Sequence, residues 1–318
     1  MESYKGKKLF TPGPLGCSQQ VKEAMLRDYG SRDIDFITIV RNIRQELLRI
    51  AGISSEQYTA ILLQGSGTYA VESVLQTCCS FSGTKVLILS NGAYAKRMKK
   101  ICHVSDIAAD IIDFPENSMI PVSKINDLIN KHPYSMVAMV HCETSNGAIN
   151  PVEEIGTIVK KCLPYAVFFV DAMSSFGAVP VDFGKAQVDY LVTSANKCLQ
   201  GRSRSLSLDL VDQLQGLESN GQFRFTPPTH AILAFQKALQ EFSEEGGIDG
   251  RSKRYKKNCS ILLEGMKKLG FKTLLPDSEQ GYIITSFIFP KHPNFKFEEF
   301  YQRLSKLGKM LFHSYCVF

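Results

Sequence analysis

Two ionisable residues stand in unusual company. Asp171 closes the apolar run Phe168-Phe-Val-Asp171, and Lys197 closes the small-residue run Thr193-Ser-Ala-Asn-Lys197. A carboxylate at the end of an apolar strand is costly unless paired, and a protonated heterocyclic nitrogen is a fitting partner. A lysine among small residues at a strand end is partly desolvated, which lowers its pKa and frees the amine as a nucleophile. Upstream lies Gly65-Ser-Gly-Thr68. Glycines there let the backbone approach an anion, and the next helix offers free N–H groups and a positive dipole end. Ser66 and Thr68 add hydroxyls, and Tyr94, in Asn91-Gly-Ala-Tyr94, can cover a flat ring. Each feature alone has a plainer reading: a tight turn, a turn aspartate, a surface lysine, a rim aromatic. The turn lacks a full G-x-G-x-x-G and a following lysine, so dinucleotide and Walker-type readings are weak. His141 reads as a satisfied interior histidine, and Thr226 and Thr229, in Phe225-Thr-Pro-Pro-Thr-His230, as the start of a helix.

Together the pieces fit one cofactor. A phosphate cradle, an aromatic cover, an aspartate for a pyridinium and a lysine 26 residues later are the parts of a pyridoxal phosphate site.

Positioning these residues requires a sheet. Apolar runs predict strands at 58–64, 85–90, 110–114, 136–141, 166–170 and 190–193. Amphipathic segments between them predict helices at 69–79, 93–102, 122–131 (capped by Ser123 or a neighbour) and 153–162. Strands alternating with helices predict an α/β fold, a parallel sheet covered on both faces. Ligands collect at the carboxyl ends of such strands. The polar groups cluster there, at 65–68, 91–94, 143–146, 171–175 and 194–197. Ahead of the sheet, Ser18 can cap a helix reaching about Asp28, and Asp35 a second with Ile39, Ile43, Leu47 and Ile50 on one face. Past Pro227 the pattern changes to helices at 229–245, 249–269 and 297–307, with strands at 271–275 and 283–289, a smaller α+β unit. The expected division is a large domain over 15–245 and a small one over 246–318 joined by 1–14.

The 318 residues are 44% hydrophobic and 21% charged, which excludes a disordered chain, a collagen-like chain and a small disulfide scaffold. A net charge of +6 suits a small anionic substrate, and the densest basic stretch, 251–257, reads as a solvated helix face rather than a nucleic-acid site. Nine scattered cysteines, an odd number with no C-x-x-C pair, read as reduced thiols in the cytoplasm. No apolar run comes after the first residues, so no signal peptide is expected, and none is long enough for a membrane span.

The motifs Thr11-Pro-Gly-Pro14, Gly30-Ser-Arg-Asp33, Leu63-Gln-Gly-Ser-Gly-Thr68, Ser90-Asn-Gly-Ala-Tyr94, Asp171-Ala-Met-Ser-Ser175 and Ser194-Ala-Asn-Lys197 resemble those of the class V, fold type I, pyridoxal phosphate-dependent aminotransferases. Arg204-Ser-Leu-Ser-Leu-Asp209 and Phe225-Thr-Pro-Pro-Thr-His230 resemble the phosphonate-using branch of that family. The resemblance implies a large, mixed, mostly parallel sheet with a smaller α+β domain. It implies that Lys197 binds the cofactor covalently and moves a proton, and that Asp171 keeps the ring nitrogen protonated. Ser66, Gly67 and Thr68 would bind the phosphate and Tyr94 would stack on the ring. Thr144 and Asn196 would touch the ring hydroxyl or phosphate side. Thr226 would reach the cofactor of the other subunit of a homodimer. The implied substrates are a small amine and an oxoacid, used in ping-pong order, with no nucleic acid and no membrane.

Two family segments lack counterparts. After the lysine the family carries an apolar strand and turn, whereas here Lys197-Cys-Leu-Gln-Gly201 runs almost straight into Arg204. That strand lies inside the family's sheet, so its loss is expected to leave two rows of backbone groups unpaired, with 205–210 a candidate substitute. The family's substrate-binding arginine sits in a C-terminal Phe-Arg-Ile-Gly-type motif, and 309–318 carries none, so that role is assigned to no residue. Three readings stay open: the phosphonate-using branch, an alanine–glyoxylate type of transaminase, and a chain that holds cofactor with impaired turnover.

Overall fold

The computed structural model describes residues 8–11, 13, 15–79, 82–130, 132–194, 209–307 and 309–311. Its centre is a sheet of five strands: β1 (Lys85–Ser90), β2 (Ala108–Asp113), β3 (Met136–Val140), β4 (Val167–Asp171) and β5 (Tyr190–Val192). They run in the order β2-β1-β3-β4-β5, and every pairing is parallel. No antiparallel member joins this sheet among the described residues, where the family resemblance implied a mixed one.

The strands are nearly continuous apolar runs because both faces are buried. Val86, Ile88, Ala138 and Phe169 pack on one side against the helices Gly67–Cys78 and Ala93–Val104. Leu87, Leu89, Val137, Met139, Phe168 and Val170 pack on the other, against Val122–Ile129 and Val152–Cys162. Alternate residues of one strand thus serve two cores, each fully buried aliphatic or aromatic side chain contributing about 1.5–3 kcal/mol. The register aligns Val140 with Asp171 and Asp171 with Val192, so three strands end at one level.

A third core joins the helix Ile34–Ala51, through Phe36, Val40, Ile43 and Leu47, to Leu62, Leu217 and Ile232. That helix starts earlier than expected. Asp33, not Asp35, is its boundary residue, and its carboxylate accepts from the Gly30 N–H at 2.6 Å instead of capping. The helix Val122–Ile129 begins after Pro121 with no side-chain cap, Ser123 lying inside it. Ser18 does cap a short helix, Gln19–Glu23, by accepting from the Val21 N–H at 3.0 Å.

The segment 58–64 is the main departure. Leu62 is buried in one core, Leu63 packs against another and Ile61 touches both, yet the segment belongs to no β-ladder among the described residues. No described strand lies beside it. Side chains take the place of a neighbour: Arg44 Nε donates to the Ala60 carbonyl at 2.6 Å, and Gln213 Nε2 to the Leu62 carbonyl at 3.1 Å. Among the described residues β5 is bonded only to β4, and the stretch after the lysine, on which the expectation of unpaired rows rests, lies outside them. Of the candidate substitute, 205–208 lie outside the described residues, and Leu210 opens a helix, Leu210–Ser219, capped by Asp209.

Beyond it run the helices Thr229–Glu244 and Gly247–Lys268. Lys272–Thr273 pairs antiparallel with Phe287–Ile288, shorter strands than expected, beneath a ring cluster of Phe271, Phe287, Phe295 and Phe300. Lys8–Phe10 pairs in parallel with Lys309–Leu311.

One packing contact is unforgiving. A Cβ on Gly156 would sit 1.9 Å from the carbonyl oxygen of Ala186, because Val152–Cys162 crosses the short helix Phe183–Ala186 there. Overpacking of this kind costs about 1–3 kcal/mol, more than the ~1 kcal/mol that alanine gains over glycine in a helix. Gly156→Ala is therefore expected to lower the urea midpoint. An unchanged or higher midpoint would show that the two helices part freely.

Candidate active site

The carboxyl edge of the sheet gathers polar side chains that are almost wholly buried: Asn91, His141, Glu143, Thr144, Asn146, Asn150, Asp171 and Ser175. Such groups persist only when bonded. Asn91 and Asn150 exchange two amide bonds, each 3.0 Å. Asn150 also donates to the Val140 carbonyl at 2.8 Å, and Asn91 to the Ser118 carbonyl at 2.9 Å. Asn146 donates to the carbonyls of Asn91 and Glu116, both at 2.7 Å. The loops after β1, β2 and β3 are thereby tied into one frame.

Glu143 fixes the next level. It accepts from the backbone N–H groups of Tyr94 at 3.2 Å and Ala95 at 3.4 Å, and from Ser145 Oγ at 2.6 Å. Gly92 makes room for it, since a Cβ there would lie 2.4 Å from Glu143 Cγ. Burial pushes the carboxyl above its ordinary pKa, and these donors oppose the shift. The first turn of Ala93–Val104 is therefore already bonded to a buried carboxyl group. The other helix that starts at this edge, Gly67–Cys78, has Ser66 as N-cap residue with no side-chain bond. Of these two N-termini, the one at Ser66-Gly67-Thr68 has no carboxyl group bonded to it among the described residues.

Asp171 Oδ1 accepts from the Met173 N–H at 3.0 Å, which turns the chain sharply at the end of β4. Behind it, His141 Nδ1 lies 2.9 Å from Ser175 Oγ, and the His141 N–H donates to the Asp171 carbonyl at 2.8 Å. Burial lowers the His141 pKa to about 4, with the Glu153 charge opposing, so the ring is neutral. His141 is an interior histidine, as expected. Thr68, Tyr94, Asp171 and Met173 line one cleft, floored by Val71, Met98 and Ile101 and flanked by Arg97.

The structure brings Thr68, Tyr94 and Asp171 together, with Ser66 and Gly67 beside them and buried Thr144 joined to Tyr94 through Glu143. Thr226 is exposed, and its carbonyl accepts from Gln64 Nε2 at 2.7 Å, next to the glycine turn. Asn196 and Lys197 lie outside the described residues. Ser194, two residues past β5, has a buried hydroxyl with no hydrogen-bond partner among the described residues. Gly67 is equally telling: a Cβ there would lie 1.8 Å from Met173 Sδ, so backbone, not side chain, faces the cleft. An acidic ring cofactor fits this donor set, with its phosphate at Ser66–Thr68, its ring against Tyr94 and its nitrogen toward Asp171.

Sequence reasoning placed Glu143 and Ser194 in strand-end polar clusters without giving either a role, and it missed Arg97. Arg97 lies three residues after Tyr94 on the same helix, a spacing that places it beside the ring. Glu143 had only its place in the 143–146 cluster to mark it, and nothing local pointed to its bonds with Tyr94 and Ala95.

A profile described as "Aminotransferase class-V" matches residues 17–202. The 2-aminoethylphosphonate–pyruvate transaminase of Salmonella dublin is 45% identical over 327 aligned positions, covering 96% of this chain and 88% of the relative. The enzyme of the same name from Bacteroides fragilis is 44% identical, covering 96% and 89%. An alignment of 327 positions is longer than the 318-residue chain, so the first relative has residues with no counterpart here. Among solved structures, an alanine–glyoxylate aminotransferase from Nostoc sp. superposes with a TM-score of 0.86 at 21% identity, covering 97% of this chain and 86% of that one. A ureidoglycine–glyoxylate aminotransferase from Bacillus subtilis gives 0.85 at 21%, covering 97% and 84%. Both share the fold.

The neutral His141 has a measurable consequence. Its pKa is about 4 in the folded protein against 6.5 for the free side chain. Between those values the unfolded chain binds a proton that the folded one refuses, so stability falls as pH drops from 6.5 toward 4, by roughly 3 kcal/mol in all. His141→Gln is expected to flatten that slope, as read from urea midpoints at pH 7 and pH 5. An identical slope in the variant would assign the acid sensitivity to other groups.

Proposed function

The chain belongs to the class V aminotransferases, and we propose that it transfers the amino group of 2-aminoethylphosphonate to pyruvate, giving phosphonoacetaldehyde and L-alanine. One observation carries this reading: relatives 45% identical over 96% of the chain bear that activity in their name. The cleft supports it, because it offers an open anion site, an aromatic wall and a buried carboxylate at one sheet edge.

Pyridoxal phosphate, the family's cofactor, supplies an electron-withdrawing ring that acidifies the substrate carbon bearing the nitrogen. Asp171 holds a proton at the ring nitrogen. It suits that role because it is only 4% exposed, so solvent does little to screen its charge. Ser66, Gly67 and Thr68 bind the phosphate through hydroxyl and backbone donors at the head of Gly67–Cys78, and Tyr94 fixes the plane of the ring. Thr144 and Asn196 contact its hydroxyl or phosphate side. Lys197 holds the cofactor before substrate arrives, then moves the proton from the substrate carbon as base and returns it as acid. The two half-reactions give ping-pong kinetics.

The working unit is a homodimer in which Thr226 serves the partner's site. The exposure of Phe225 and Thr226 beside the glycine turn supports this. The large domain spans 15–245, and 246–318 with 1–14 form the small one. The pairing of Lys8–Phe10 with Lys309–Leu311 supports that grouping. The cytoplasm is the compartment, a placement supported by the absence of a disulfide among the described cysteines.

With pyridoxal phosphate, 2-aminoethylphosphonate and pyruvate, the purified chain should form L-alanine and phosphonoacetaldehyde one for one. A chain that uses L-alanine and glyoxylate but not the phosphonate would overturn the substrate. Asp171→Ala should slow the half-reaction with 2-aminoethylphosphonate by about 10²-fold or more while cofactor affinity changes less than about tenfold. A variant with near-normal rates would reduce this carboxylate to a turn residue.

A further inference from the structure

Among the residues lining the cleft, one cation has no task in this scheme. Arg97 Nη1 lies 3.4 Å from Thr68 Oγ1, and its guanidinium carbon lies 4.6 Å from the centroid of the Tyr94 ring. It therefore touches both the expected phosphate ligand and the expected ring cover. Its neighbour Lys96 is neutralised by Glu116 at 2.7 Å, whereas no carboxylate pairs with Arg97 among the described residues. Holding a long side chain across a tyrosine face costs conformational entropy, and the bare contact with a hydroxyl offsets little of it.

We propose that Arg97 is the cation of the phosphate cradle, binding the phosphoryl group of the cofactor beside Thr68 while Tyr94 holds its plane. The inference rests on the pyridoxal phosphate reading of the cleft. A helix N-terminus supplies only about half a positive charge, and a phosphate monoester carries between one and two negative ones. Ser66 and Thr68 add dipoles but no charge. A guanidinium has five donors in a fixed fork, so one can face Thr68 Oγ1 while others remain for phosphate oxygens. Accepting that bond also sets the Thr68 hydroxyl rotor, which leaves its proton for the anion. Glu143 acts in the same direction: by filling the N-terminus of Ala93–Val104 it leaves the neighbouring helix as the place for a second anion.

The test compares cofactors with and without the phosphate. Dissociation constants of pyridoxal phosphate and of pyridoxal are measured by absorbance titration for the wild type, Arg97→Met and Arg97→Lys, with melting curves of the cofactor-free proteins. Arg97 is exposed, so both variants should melt with the wild type. Arg97→Met should weaken pyridoxal phosphate roughly 10- to 100-fold and leave pyridoxal within about twofold, with Arg97→Lys between. Equal weakening of both ligands, or unchanged affinity for pyridoxal phosphate, overturns the assignment. So does a variant that binds cofactor normally but has a raised KM for 2-aminoethylphosphonate, since the arginine would then serve the substrate phosphonate. Failure of the underlying reading looks different, because the wild type itself would then show no preference for the phosphorylated ligand.

Discussion

Polar groups carried into the end of an apolar sheet must be bonded there, and the site results from how that requirement is met. The strands β1, β3 and β4 are buried on both faces, so water reaches little of the loops at their carboxyl ends. Leaving one buried amide or carboxylate unpaired costs on the order of 1–3 kcal/mol, a sizeable share of a domain's net stability. The pairing of Asn91 with Asn150, the reach of Asn146 across two loops and the four donors around Glu143 remove that cost. They also hold Tyr94 and the loop that carries Thr144, while Asp171 is held through the Met173 and His141 N–H groups. Loops held this way arrive at the cleft already shaped, which is the condition for electrostatic preorganisation.

Charge is divided along the same edge. Glu143 satisfies one helix N-terminus from within, and burial keeps His141 neutral beneath Asp171. What is left for a ligand is the N-terminus at Gly67, an arginine and a buried aspartate. In the proposed reading the phosphate goes to that N-terminus and the arginine, and the protonated nitrogen to Asp171. That polarity orients a ring bearing both groups without a specific contact to every atom.

Much of this was legible from residues alone. Apolar runs broken by polar clusters place β1 to β5 and the helices between them, because burial on both faces leaves an unmistakable trace in Leu87–Leu89 or Phe168–Val170. The clustering of small polar residues at strand ends identifies the cleft. Partnerships are another matter. Asn91 and Asn150 are 59 residues apart, and only the register of the sheet sets them side by side. Glu143 bonds to Tyr94 across 49 residues for the same reason. Arg97 is one of 37 basic residues and is distinguished by its contacts alone. The error at 58–64 has a related cause. The apolar run predicts a strand there, but a ladder needs a neighbour, and Arg44 and Gln213 bond to two of its carbonyls instead.

The edge of β5 bears on the activity as well. Lys197, the proposed catalytic amine, follows the end of β5 by five residues in the sequence. The most direct measurement is chemical. Pyridoxal phosphate is added to the purified chain, the adduct is reduced with borohydride, and the modified peptide is mapped. The account predicts a single labelled site at Lys197, lost in Lys197→Ala. Label spread over several lysines, or retained in that variant, would contradict it.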